Sequence, residues 1–430
     1  MKPILIKDAR IIDPSQKIDS TGSILIAEGK IAWLGTGDQK PATNGHEVVV
    51  AKNLIAAPGF IDLHCHLRDP GLEEKETIAS GTLAAARGGF TTVCCMPNTE
   101  PAIDNRSIID YVKTKATSEG VVRVLPIGCI TRGRKGEALA DMGEMASAGA
   151  VAFSDDGSPV MNSRLMRQAL DYSLAFGLPV IEHCEDKVLA ENGQMNEGII
   201  STRLGLPGIP AAAEESMVAR DIALAELTGA RLHIAHVSTS GSVEMVRAGK
   251  QKGIRVTCEV TPHHLTLSEE MVMGYNTNAK VNPPLRTRRD IEALIEGLKD
   301  GTIDAIATDH APHTSLEKLC EFAYAPFGIS MLETAFGMLM GLFQTGKIDL
   351  NLLISKMTWE PANILGDKFG KLGRLVVGNP ADIVLIDPEK EWIVDPASFA
   401  SKGQNTPLGG AKLKGKVVTT IFQGKVVFRE

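Results

Sequence analysis

Two imidazoles separated by one residue, His64 and His66, close the run Phe60-Ile61-Asp62-Leu63-His64-Cys65-His66-Leu67-Arg68. On a β-strand, side chains two apart point the same way. Both rings then converge on one point, which is what a metal ion needs. Strict alternation predicts that Phe60, Asp62, His64, His66 and Arg68 face a cavity. Ile61, Leu63, Cys65 and Leu67 would pack against a covering layer. A lone His-x-His is a weak signal, since polar residues at strand ends are common. The rest of the chain strengthens it.

Eight apolar, β-branched runs can be read, over 59–67, 90–96, 121–130, 150–155, 178–184, 231–238, 254–261 and 303–309. Stretches of helical composition lie between them, such as Glu74 to Arg87, Arg164 to Phe176, Glu214 to Leu227 and Arg288 to Leu298. Strands alternating with helices imply a parallel sheet. Eight such units predict a closed (β/α)8 TIM barrel of the α/β class. No Gly-x-Gly-x-x-Gly follows the first strand, which argues against an open doubly wound sheet. Shorter β-like runs fill both ends, with a hairpin turn expected at Glu28-Gly29. We therefore expect residues 1–55 and 365–430 to form one small composite β-sandwich, and residues 56–364 the barrel.

A barrel carries its chemistry at the C-terminal ends of its strands. Those ends hold His64, His66 and Arg68; Asn98; Asp155 and Asp156; His183; His233 and His236; and Asp309, His310 and His313. Most of the ten histidines lie there, which coincidental capping does not explain, and a metal site does. Parity selects among neighbours if no bulge intervenes. Val151 and Phe153 would face the helices, leaving Ala152, Ser154 and Asp156 inside, so Asp156 is preferred to Asp155. His236 shares a face with Leu232 and Ile234 and is read as a ligand, with His233 structural. Asp309 and His313 share a face, with His310 pointing elsewhere. His263-His264 is left open.

The bulk composition sets limits. With 43% hydrophobic and 23% charged residues, the chain is an ordinary globular protein. A net charge of −7 offers no basic field for nucleic acid or an anionic membrane. No run reaches the ~18 apolar residues of a membrane span, and the start lacks the apolar core of a signal peptide. The seven scattered cysteines, with no Cys-x-x-Cys, suit reduced thiols in the cytoplasm.

Taken in order, His64-x-His66, Pro97-Asn98-Thr99, Ser154-Asp155-Asp156-Gly157, His183-Cys184-Glu185-Asp186, His236-Val237-Ser238 and Thr308-Asp309-His310-Ala311-Pro312-His313 resemble the amidohydrolase superfamily. More narrowly, they resemble its class I dihydroorotases, over nearly the whole chain. The resemblance implies two zinc ions, one held by His64, His66 and Asp309 and the other by His183 and His236, with Asp156 bridging. It implies that Arg68, Asn98 and Asn282 hold the substrate carboxylate and ring. His313 and the backbone at Phe327 and Gly328 would touch the substrate, and 314–326 would be a mobile loop. Relatives that bridge their metals with a carboxylated lysine have no counterpart here, because no lysine occurs between Lys135 and Lys187.

The implied reaction is reversible, metal-dependent closure of N-carbamoyl-L-aspartate to L-dihydroorotate in pyrimidine biosynthesis, with Asp309 moving the proton. The resemblance further implies a homo-oligomer, the simplest being a dimer, and aspartate transcarbamoylase as a protein partner. Two rival readings are another cyclic amidohydrolase, of allantoinase or hydantoinase type, and a silent scaffold for aspartate transcarbamoylase. A scaffold would be expected to lose ligands, yet all six metal positions are filled.

Overall fold

The computed structural model describes residues 2–37, 41 and 45–430. Both ends of the chain meet in one eight-stranded sheet. The N-terminal part supplies Ile4–Asp13, Ile18–Ala27, Lys30–Thr36, Glu47–Val50 and Ile55–Pro58, and the C-terminal part Ile383–Ile393, Lys412–Phe422 and Lys425–Arg429. The join is antiparallel pairing of Ile55–Pro58 with Ile383–Ile386. Ile6, Ile11, Ile24, Ile26, Ile31, Ile383, Leu385 and Ile421 form its apolar core. At the expected hairpin both Glu28 (φ 52°) and Gly29 (φ 76°) take positive φ. That is the two-residue turn whose twist matches the strands it joins.

Between these ends runs a closed parallel barrel. Its regular strands are Phe60–Cys65, Phe90–Cys95, Arg123–Pro126, Val180–Glu182, Leu232–Ile234, Val256–Val260 and Ala305–Ile306. The expected fourth strand is extended but irregular, with Phe153 bridging Gly128 on one side and Val180 on the other. The circle closes where Cys65 pairs with His310 and the His66 amide donates to the His310 carbonyl at 2.9 Å. The first barrel helix begins at Ile78 rather than Glu74, because Thr77 accepts from the Ser80 amide and caps it.

The barrel's inner cluster holds Ile61, Leu63, Met96, Ile127, Val151, Ala152, Ile181, Ala235, Ala305 and Ala307. Three alternation-based expectations fail against it. In the first strand Phe60 faces outward onto Phe90 and Phe336, and Ile61 and Leu63 face inward. The pairing explains this: Asp62 lies opposite Val93 and Cys65 opposite Cys95. One extra residue on the first strand makes a bulge, which reverses the parity. His64 and His66 thus face the cavity although Leu63 also points in. In the fourth strand Val151 joins the inner cluster beside Ala152, while Phe153 packs outward on Phe176. In the sixth, Leu232 and Ile234 face the helices, and His233 is the inward residue. His236 reaches the cavity because its backbone turns to φ 30° after the strand has ended.

Candidate active site

The strand ends surround a cavity of about 540 Å³. At its floor the metal-binding atoms of His64, His66 and Asp156 lie within 4.8 Å of one another, as do those of Asp156, His183 and His236. Asp156 belongs to both groups. Its Oδ1 stands 3.4 Å from His64 Nε2 and 3.7 Å from both His183 Nδ1 and His236 Nε2. Asp309 approaches from the far wall, with Oδ1 3.0 Å from His66 Nε2 and 3.6 Å from His64 Nε2. Burial pushes the Asp156 carboxyl up, but the surrounding imidazoles outweigh it and hold the group well below the carboxylate range.

Asp155 is excluded from this set by its own bonds. It accepts from the Ile130 amide at 2.8 Å, the Thr131 amide at 3.0 Å and the Thr131 hydroxyl, tying the third strand end to the fourth.

The donor set fits divalent cations. His64 Nε2 and Asp156 Oδ1 are buried and make no hydrogen bond. A buried nitrogen and a buried carboxylate oxygen facing each other without a hydrogen bond are the donor types a divalent ion takes. The imidazoles are also steered from behind, as metal ligands are. His64 Nδ1 bonds Glu259 Oε1 at 2.8 Å, and His66 Nδ1 bonds Asn98 Oδ1 at 2.8 Å. His183 Nε2 lies 3.4 Å from Glu185 Oε2.

Glu259 and Glu185 were not singled out from sequence. Glu259 also bonds His233 Nε2 at 3.2 Å, so His233 serves beneath the ligands. Burial raises the Glu259 carboxyl, yet the His233 and His64 hydrogen bonds bring it down to about 2. A signal was available: Val256, Cys258 and Val260 face outward, leaving Glu259 as the charged residue, with Thr257, on the inner side of an otherwise apolar strand. A carboxylate there has to meet cations or imidazoles. Asp62 was likewise placed on the cavity face, but it accepts from the Thr308 amide at 2.8 Å and anchors the eighth strand end.

The residues expected to hold substrate lie higher in the same cavity. Arg68 is 9% exposed. Its Nε reaches the Pro312 carbonyl at 3.3 Å and its Nη2 lies 3.4 Å from His313 Nε2. Among the described residues no carboxylate is within ion-pairing distance of it. His313 donates to the Phe327 carbonyl at 2.9 Å, and burial, with help from Arg68, pushes its imidazole down to about 3. Asn282 Nδ2 bonds both Glu185 oxygens at 3.2 Å. The Gly328 amide donates to the Lys280 carbonyl at 2.8 Å and its carbonyl accepts one bond from Asn405, which leaves that oxygen a second lone pair. Ser315–Lys318 in the expected loop is a short helix capped by Thr314.

His263 and His264 join neither ligand group. His264 is held by the Thr261 hydroxyl and the Pro283 carbonyl. Arg68 (φ 60°), His236 (φ 30°) and Asp309 (φ 44°) all take left-handed backbone conformations. Such conformations cost about 1–3 kcal/mol each and concentrate at functional sites.

A family described as "Dihydro-orotase-like" matches residues 53–242. A dihydroorotase of Citrifermentans bemidjiense is 54% identical over 427 residues, 99% of each chain. One from a Thermoanaerobacter species is 52% identical over 99% of this chain and 97% of its own. An L-hydantoinase from Arthrobacter aurescens, 24% identical, shares the fold over 100% of this chain and 96% of its own, with a TM-score of 0.89.

Proposed function

This chain belongs to the dihydroorotase family, and we propose that two zinc ions, held by the histidine–aspartate cluster, serve its interconversion of N-carbamoyl-L-aspartate and L-dihydroorotate. His64, His66 and Asp309 would hold one ion, His183 and His236 the other, with Asp156 between them. When bound, such ions polarise the ring amide carbonyl and lower the pKa of a water. The remaining work belongs to the chain's own side chains. Asp309 accepts a proton in the hydrolytic direction and returns it to the leaving nitrogen. Arg68 takes the substrate carboxylate in its two-pronged guanidinium. His313 stays neutral and turns its Nε2–H toward the cavity rim, and Asn98 and Asn282, which also bond His66 and Glu185, would meet the substrate together with the Phe327–Gly328 backbone.

One observation carries the substrate class. Among the described residues Arg68 is a buried cation with no carboxylate at ion-pairing distance, opening onto the same cavity as the ligand cluster. A buried charge without a direct partner is costly, so the anion that completes it arrives with the substrate. Dihydroorotate carries that carboxylate, and a plain hydantoin ring does not. The absence of lysine between Lys135 and Lys187 also favours this reading over a hydantoinase.

The same reading assigns residues 56–364 to the catalytic barrel and 1–55 with 365–430 to the sandwich. It also includes a cytoplasmic location, which seven free thiols favour. A homo-oligomer, and association with aspartate transcarbamoylase, follow from the family resemblance.

The test is metal content measured together with L-dihydroorotate hydrolysis. We expect two zinc ions per chain, and activity lost on chelation and restored by zinc. Full metal without turnover would point to another cyclic amide, and turnover that survives complete chelation would sink the metal reading. Glu259→Gln probes the support beneath His64. It should weaken metal binding about 10–100-fold in a chelator competition. Wild-type affinity would show that His64 needs no orienting carboxylate.

A further inference from the structure

The cavity rim that carries His313 is built from two lengths of chain laid side by side, 310–313 and 327–330. The Ala311 amide donates to the Ile329 carbonyl at 2.9 Å. They touch so closely that a Cβ on Gly328 would meet the Ala311 carbonyl oxygen at 2.6 Å. Neither length belongs to a regular strand. A single parallel bridge, His310 with Ile329, pairs them, and side-chain bonds do the rest.

Those bonds come from outside the barrel strands and helices. Asn405 lies in the connection between Ile383–Ile393 and Lys412–Phe422, both strands of the terminal sheet. Its side chain is buried at 3% exposure and makes four hydrogen bonds, all to the rim. Oδ1 accepts from the His313 amide at 2.9 Å and the Ser330 hydroxyl at 2.8 Å. Nδ2 donates to the Ala311 and Gly328 carbonyls, both at 3.0 Å. The Asn405 carbonyl takes the Ser330 amide at 2.9 Å. Nearby, a Cβ on Gly403 would meet Pro312 Cβ at 2.4 Å, so this segment lies flat on the rim.

We propose that Asn405 is a positioning residue for substrate binding, fixing His313 and the Phe327–Gly328 backbone opposite Arg68. A carboxamide suits the task because one planar group offers two donors and an acceptor with two lone pairs. A carboxylate would keep the His313 and Ser330 bonds but oppose two carbonyl oxygens. His313 in turn bonds the Phe327 carbonyl and lies 3.4 Å from Arg68, so a displaced rim is felt where the substrate anion binds. The inference rests on the dihydroorotase reading for its substrate, but not for its geometry.

The test compares wild type, Asn405→Asp, Asn405→Ala and the exposed neighbour Gln404→Ala. Two readouts are needed, steady-state hydrolysis of L-dihydroorotate and amide hydrogen exchange. For both Asn405 variants we expect KM to rise about tenfold with kcat changed far less. Exchange should quicken in 310–313 and 327–330 and nowhere else, and Gln404→Ala should match wild type in both. If the Asn405 variants do not fold, Ser330→Ala removes one bond of the same carboxamide and should shift both readouts in the same direction by less. Unmoved KM, or a fall in kcat with global loosening, would overturn the proposal. Wild type that fails to turn over L-dihydroorotate would sink the substrate reading alone, and the exchange pattern would still decide whether Asn405 clamps the rim.

Discussion

Arg68→Met should lower kcat/KM for L-dihydroorotate about 10²–10³-fold while the bound metal stays in place. Removing one member of a buried, hydrogen-bonded charge pair costs about 2–5 kcal/mol, and each 1.4 kcal/mol is a factor of ten. The penalty is large because the substrate carboxylate would still be stripped of water, now with no cation to meet it. Arg68→Lys should not restore the loss, since a point charge on a flexible stem cannot replace a planar fork. Dihydrouracil, the same ring without the carboxylate, provides the control: whatever turnover it shows should hardly respond to either substitution. Steady-state kinetics with metal analysis checks this. A loss below tenfold for L-dihydroorotate, or an equal loss for dihydrouracil, would place the carboxylate elsewhere in the cavity.

The type of site was legible because its chemistry is concentrated in unusual residue types at repeated positions. Histidines and aspartates at the ends of β-branched runs are visible without a structure, and five of the six expected ligands gather at the cavity floor with Asp309 facing them from the far wall. Alternation along a strand was a poorer guide. It favoured His64 and His66 for a face that a bulge supplies. It set His236 beside Leu232 and Ile234, which point away from the cavity. The left-handed turn at His236 is what brings its ring in. Backbone irregularities of this kind are produced by tertiary pairing, and a single sequence carries little trace of them.

The supporting residues were harder to see for a different reason. Glu259 and Asn405 act through partners far away in sequence, whereas Glu185 meets His183 and Lys187 two residues to either side and Asn282 far away. Glu259 is 195 residues from His64, and Asn405 is 92 from His313. Nothing local marks an asparagine in a loop as a clamp, since most such residues only make turns. A carboxylate inside an apolar strand is more conspicuous, and Glu259 could have been found that way.

Asp309→Asn is the second large expectation: kcat should fall about 10³-fold in both directions, with KM little changed. General acid–base catalysis is worth about 10²–10⁴-fold, and the substitution keeps an oxygen beside His66 while removing the proton acceptor. The other buried acids of the cavity have commitments elsewhere. Asp156 is held among His64, His183 and His236, and Glu185 is tied to Lys187 and Asn282. His313, pushed down to about 3, donates its Nε2–H to the Phe327 carbonyl and is no proton acceptor there. For Asp309 itself, burial raises the carboxyl, but the His66 hydrogen bond and nearby imidazoles bring it below the usual range. It therefore enters the hydrolytic direction deprotonated, ready to accept. Metal content must be measured on the same sample, because Asp309 is also an expected ligand. Loss of one ion would convert the result into a binding defect, and near-normal kcat with full metal would assign the proton transfer to another group.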